Sequence, residues 1–324
     1  SLPEEARGLL KVVALARRPV RLTLAAELAG SASPNLAARV LVAESLVRSS
    51  GPTDELRLEC LNARVAEVLR AEVGPSEATG ILLQLAERIS SAADPESKGR
   101  HLLAAGDPGA ATPHLLTAAR RALDQMAFGR ADTLAALAEE GAADPSTRRT
   151  CAGMRARALA AEGRGPESAK QYLASADTDA PEELLRAQLA ATEQLSRSGN
   201  FVPARELLDE VLRRTGIGVV RGPTATLLTL LWHRALLRLG GLGFQPRAEA
   251  QIPAGVLQRI DTANFLSQAL ALFAPARAAM LQAWNLRQCL RAGEPMRIAR
   301  SLAVEAGFVA IQGGRAIRRG EELL

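Results

Sequence analysis

Histidines, cysteines and glycine-rich turns are where chemistry would show first, and their spacing argues against most of it. His101, His114 and His233 are neither paired at i, i+4 nor framed by carboxylates as metal ligands would be, and structural roles are expected of His101 and His114, which open or ride a helix. Cys60, Cys151 and Cys289 lie about ninety or more residues apart, which suits neither a disulfide framework nor a metal knuckle. No phosphate loop of the form G-x-x-x-x-G-K-[ST] occurs, nor a G-x-S-x-G elbow, nor the H-R-D and D-F-G pair of a kinase. The run Gly240-Gly241-Leu242-Gly243-Phe244 lacks the strand before it and the lysine after it that phosphate cradling needs, and reads as a helix-ending turn. No catalytic, metal-binding or cofactor-binding group is therefore expected from spacing alone.

Two arginine patches invite a sharper reading. Arg17, Arg18 and Arg21, with Arg39 on a following helix, would supply phosphate contacts and one recognition-helix residue if this region met DNA. The helix that carries Arg39, LAARVLVAESLV, is mostly apolar and offers few groups to read base edges, so a structural hinge is favoured. Arg315, Arg318 and Arg319 form a second run near the end of the chain; a solvated face is the ordinary reading, since membrane contact would need a stronger apolar face.

The elements that would position such residues are helical. Of 324 residues 48% are hydrophobic but only 3% aromatic, so alanine, leucine and valine supply nearly all the apolar surface. Alanine and leucine are strong helix formers, whereas a sandwich or barrel would call for more β-branched and aromatic residues. The basic side of a net charge of +5 is almost all arginine, with lysine only at positions 11, 98 and 170. That skew resembles the codon bias of a GC-rich bacterium, and acidic residues are interleaved throughout, so a nucleic-acid stripe is unfavoured without being excluded. No apolar run of spanning length occurs and the start lacks the pattern of a signal peptide; a reducing cytoplasm is expected. The chain begins without methionine, as a piece of something longer would.

Along the chain, helices are expected at Glu4 to Ala16, Leu22 to Leu28 and Leu36 to Leu46. A turn at Ser50-Gly51-Pro52 then separates two alternating stretches, with Leu56, Leu58 and Cys60 on one face. Three short helices followed by a hairpin is the order of a winged helix, placed at residues 1–73. Residues 74–324 read as a succession of helices punctuated by Gly, Pro and Asp, with a subdivision expected near 216–224. The stretch from Ala225 to Leu239 reads as a buried helix, and Trp232 and Trp284 as core packers.

Internal similarity supports stacking of these helices. Placing Phe201 on Phe128 and Ala204 on Ala131 gives an offset of about 73 residues, close to twice the period of tetratricopeptide-type hairpins. Gly163 precedes Gly199 by about one such period, with a slip of one residue before Ala169. Alanine at the crossing would let two helices approach to about 8 Å. The full W-x2-L-G-x2-Y pattern is absent, so the repeats are degenerate, and an irregular helical domain with chance glycine spacing stays open as the alternative.

Several stretches carry a family resemblance: NARVAEVLRAEV (62–73), GRHLLAAGDPGAATPHLLTAARRALDQMAFGRAD (99–132), SGNFVPARELLDEVLRRTGI (198–217), ALLRLGGLGF (235–244), RIDTANFLSQAL (259–270) and LRAGEPMRIARSLAVEA (290–306). They resemble the central and C-terminal parts of large bacterial signalling proteins. In these a serine/threonine kinase domain is often followed by a STAND-type ATPase module, a winged helix and a long tetratricopeptide-like region. The resemblance implies that kinase and nucleotide-binding domains, with their ATP and Mg, would precede this segment. It also marks Asn62 and Arg64 as nucleotide-facing positions. Where the family commonly has a His-Asp pair opening the helix after the wing, this chain has Asn62-Ala63. Asn62 can still donate a hydrogen bond but Ala63 can accept none, which puts nucleotide sensing through that helix in doubt.

The reading that follows is a mainly α segment: a small winged-helix module, then an irregular tetratricopeptide-like solenoid. It would act as the non-catalytic sensor and protein-interaction arm of a multidomain signalling ATPase or kinase. Its expected partner is another protein or the parent's own upstream domains. The alternative is a transcription regulator that contacts DNA through the winged helix.

Overall fold

The first helix sets the pattern. In EEARGLLKVVALA, α1 (Glu4–Ala16), every residue from Leu9 to Ala16 except Lys11 is buried, so it forms the centre of its module and not an amphipathic edge. Two acidic residues open it, favourably placed against the helix dipole. Arg17 ends it in the left-handed conformation (φ 57°) two residues before Pro19. The computed structural model describes residues 2–52, 55–215, 217, 220, 222–271 and 274–310. It divides into two compact units, Ser1–Ala158 and Leu159–Leu324, and helix α9 runs across the division.

In the first unit α1 packs on α2 (Leu22–Ala29), α3 (Pro34–Ala43), α4 (Ala63–Glu72) and α5 (Pro75–Arg88). A three-stranded antiparallel sheet closes the group in the order β1 (Val20–Arg21), β3 (Arg57–Cys60), β2 (Val47–Ser50). Val20 pairs with Leu58 and Val47 with Cys60. Leu9, Leu10, Leu41, Val47 and Leu58 share one core, and truncating a fully buried leucine such as Leu9 to alanine costs about 2–5 kcal/mol. The expected order of three helices and a hairpin is thus present, with two differences. The third helix stops at Ala43 instead of Leu46, because Ser45 takes a positive φ of 56° and Leu46 leads into the strand. The two-residue β1 is too short to leave an alternating signature.

Beyond α5 the described residues form helices alone. In the first unit α6 (Pro95–Ala104) packs on α7 (Pro108–Asp124), and α7 on α8 (Phe128–Glu140). Three helix–turn–helix segments then repeat one plan. The leading helices α7, α9 (Pro145–Ala161) and α11 (Pro181–Arg197) each have 17 residues and each start on proline. Proline at the first helical position loses no hydrogen bond and has the right φ in advance. Turns of the same length lead to α8, α10 (Gly165–Ala174) and α12 (Phe201–Thr215), with Met126, Gly163 or Gly199 at positive φ in the middle. The small residues at the matched offsets, Ala131, Ala169 and Ala204, are all buried.

In the second unit α10 packs on α11 and α11 on α12, and α14 (Ala254–Ala271), α15 (Pro275–Ala292) and α16 (Pro295–Ala310) form a second group. Gln282 on α15 is fully buried. It accepts from Ser267 Oγ of α14 at 3.1 Å and donates through Nε2 to the Ser301 carbonyl of α16 at 2.7 Å. The fold is mainly α, with paired helices and one small sheet. The expectation for α13 (Pro223–Gly240) needs correction: only Thr226 is buried, and Trp232 is 62% exposed. The helix rests on α15 through its other side, so apolar composition alone misplaces it. Trp284 is half-buried in the core of the second group, with the Arg259 guanidinium 5.9 Å above its ring.

Candidate functional site

The first unit gathers charge around one carboxylate. Asp94 caps α6 by accepting from the Ser97 amide at 3.0 Å, and Glu96 in the first turn is 4% exposed. Three guanidinium groups converge on Glu96. Arg18, just after α1, donates to Oε1 at 2.6 Å, Arg100 donates to the same oxygen at 2.9 Å, and Arg130 of α8 grips Oε2 with Nε at 2.7 Å and with a second nitrogen. Burial by itself would push this carboxyl up. The hydrogen bonds from Arg130 and Arg100 and the charge of Arg18 outweigh it and hold the group below its ordinary range.

Beside this knot opens a cleft of about 450 Å³ whose polar lining is Arg17, Arg18, Glu96, Ser97, Arg100 and His101 and whose apolar lining is Ala16, Leu103, Ala104 and Leu137. Arg17 makes no hydrogen bond or ion pair among the described residues. Its pKa is lowered by burial and by the like charges of Arg70 and Arg100. Arg70 donates to the Ala14 carbonyl at 3.1 Å and so caps the end of α1. His101, 6% exposed on the last turn of α6, is held down to about 4, first by burial and then by Arg18 and Arg17, against the raising effect of Asp94.

Of the residues singled out in the sequence, Arg17 and Arg18 come together here. Arg21 on β1 and Arg39 on α3 are both exposed and join no ion pair among the described residues. Glu96 and Arg100 are an i,i+4 pair within one helix, but the contacts of Glu96 with Arg18 and Arg130 span 78 and 34 positions and that of Arg70 with Ala14 spans 56, so no sequence signal links those residues. Asn62 Oδ1 accepts from the Arg64 amide at 2.8 Å and serves as the cap of α4, with both side chains exposed. His114 lies within α7, and His233 on α13 shares a 2.8 Å contact with Arg287. Arg315, Arg318 and Arg319 lie outside the described residues.

The second unit offers two different features. A cavity of about 460 Å³ among α11, α12 and α14 is lined by Leu185, Gln188, Arg214, Arg259 and Thr262. The other is the solvent side of α13, where Leu227, Leu228, Leu231, Trp232 and Leu239 are 51–86% exposed. These fall at i, i+1, i+4, i+5 and i+12, one helical stripe. The helix has no acidic residue. Arg287 and Arg291 stand near its His233, whose pKa burial and these two cations lower. No helix among the described residues is long and apolar enough to cross a membrane, and no group of three His, Cys, Asp or Glu among them has metal-site geometry.

No family model matches the chain, and no curated protein matches it. Among solved structures it is similar to a Signal Transduction ATPase with Numerous Domains (STAND) protein with a tetratricopeptide repeat sensor from Pyrococcus horikoshii. The match has 14% identity and a TM-score of 0.25, covering 99% of this chain and 56% of the other. The chain thus spans little more than half the length of that protein.

Proposed function

We infer that this chain is a non-catalytic interaction arm of a larger signalling protein and that α13 is the surface it presents to a protein partner. The observation that supports this most is the uncovered stripe of Leu227, Leu228, Leu231, Trp232 and Leu239. Isolated exposed leucines are ordinary, but a contiguous stripe along an 18-residue helix is the kind of patch that marks an interface. The partner's chemistry follows from the helix: an amphipathic protein helix with an apolar face and acidic flanks. Its leucines would cover the stripe and its carboxylates would meet Arg238, Arg287 and Arg291.

Within the same reading, residues 1–73 are a winged-helix module used as a hinge and residues 74–324 the array that responds to the partner. By the family resemblance, a nucleotide-binding module, with its ATP and Mg, would precede the hinge. Coupling between the two would need the partner to favour one of two packings. DNA contact through α3 has less support: its solvent side shows Leu36 at 65% and Val42 at 41% exposure, with Arg39 its one cation.

The test uses two synthetic amphipathic helices of equal hydrophobicity, one acidic and one basic, and the chain with Trp284→Phe so that Trp232 alone emits. The acidic helix should shift Trp232 emission to the blue and protect it from acrylamide, and the double change Leu228→Asp with Leu231→Asp, which keeps Trp232, should abolish both effects. Equal behaviour of the two helices, or no protection by either, sinks the assignment of α13. Indifference of duplex DNA to residues 1–73 at low salt would remove the DNA reading.

A further inference from the structure

We propose that the cleft between the end of α1 and α6 binds a phosphate monoester, with Arg17 and Arg100 holding the phosphoryl group and the apolar lining of Ala16, Leu103, Ala104 and Leu137 receiving the organic part. The site is independent of α13 and lies in the other unit.

Unused donors carry the argument. Three guanidinium groups, those of Arg18, Arg100 and Arg130, surround Glu96, and Arg17 and Arg70 add two more cations beside Arg100 and Arg17 respectively. Glu96 already accepts from the first three. Arg100 spends only Nε on it, so both terminal nitrogens remain, and Arg17 donates to nothing among the described residues. These two line the same cleft. Guanidinium groups take phosphate oxygens in pairs, and a dianion suits two of them better than a carboxylate does.

The surroundings of Arg17 favour an anion. Burial first, and then the like charges of Arg70 and Arg100, lower the affinity of Arg17 for a proton. Its backbone takes a left-handed φ of 57° that a non-glycine residue rarely adopts. A bound dianion turns that repulsion into attraction. The cleft, at about 450 Å³, has room for more than a phosphate ion, and Ala16, Leu103, Ala104 and Leu137 add hydrocarbon to its lining, which is why an ester is assigned in preference to the free ion.

Titration calorimetry and thermal unfolding of the whole chain at low salt, with phenyl phosphate, inorganic phosphate, sulfate and phenol as probes, decide the matter. Phenyl phosphate should bind saturably and at least tenfold more tightly than inorganic phosphate, and phenol should not bind. Arg17→Gln and Arg100→Gln should each weaken phenyl phosphate at least tenfold, while Arg120→Gln on the exposed side of α7 should leave it unchanged. Arg17→Gln should unfold no earlier than the parent without ligand, since it removes a repulsion, so its loss of binding would not reflect loss of fold. Absence of saturable binding, equal affinity in the Arg17 and Arg100 variants, or sulfate matching phenyl phosphate would each overturn the proposal.

Discussion

Replacing Glu96 by glutamine tests whether the arginine knot stabilises the first unit or merely decorates it. The substitution keeps the volume and removes the charge, leaving Arg18, Arg100 and Arg130 to repel one another around a neutral amide. Removing one partner from a fully buried ion pair costs about 3–5 kcal/mol, while exposed pairs contribute about 0–1. Glu96 has 6% of its side chain exposed but its partners have 41–51%, so water takes over part of each guanidinium's demand. An intermediate loss of about 2–3 kcal/mol is expected for the variant. For a unit of this size each kcal/mol moves the midpoint by about 2–4 °C, so a fall of about 5–10 °C is anticipated. Urea unfolding gives the free energy, and amide exchange on α1, α6 and α8 localises it. The sign with pH is also fixed. Because the carboxyl is held below its ordinary range in the fold, its contribution is complete above the unfolded value and lost as pH falls through the folded one. Parent and variant should therefore converge in acid. A loss under about 0.5 kcal/mol near neutral pH, within the range of an ordinary surface substitution, would refute the claim that Glu96 organises this region.

Three further outcomes follow from local geometry. His101 is depressed from 6.5 to about 4, so the unfolded chain binds its proton first as pH falls; stability should drop between those values by about 3 kcal/mol at most, and His101→Gln should flatten that part of the pH profile. Burial raises Cys151 and Cys289 to about 11, whereas Cys60, on the sheet and half-buried, is raised less; one thiol should react promptly with a disulfide reagent at pH 8, and Cys60→Ser should remove it. A Cβ at Gly165 would lie 2.5 Å from Ser198 Cβ and 2.6 Å from the Gln194 carbonyl oxygen, so Gly165→Ala should cost about 1–3 kcal/mol in thermal unfolding by forcing α10 off α11.

Helix type and approximate length were legible because they rest on local chemistry. Composition gave the class, cap residues gave boundaries, and the offset of 73 placed Phe128 and Phe201 at the start of equivalent helices. A plainer signal was the proline that opens α7, α9 and α11 at 108, 145 and 181, which appeared only as punctuation. The candidate site was half legible. Arg17-Arg18 stood out as a dibasic pair at a helix stop, but its meaning depends on Glu96 and Arg130, supplied by helices far along the chain. Sequence spacing reports neighbours within one helix or hairpin, as it does Glu96 and Arg100 at i, i+4; the reach of Glu96 to Arg18 and Arg130 leaves no such mark.

The misplacement of α13 has a different origin and bears on function. Hydrophobic composition states how much surface seeks cover, not whether the cover belongs to the same chain. An ordinary surface helix answers this by being amphipathic, with a polar side toward water. In α13 threonines and alanine sit beside leucine around the helix, and the side that α15 leaves uncovered is the more apolar one. For a chain acting alone that pattern is a liability for aggregation. It becomes economical if a second protein regularly covers the stripe, and the lack of any carboxylate on the helix then serves to select which one: a partner with basic flanks would meet Arg238, Arg287 and Arg291 and be repelled.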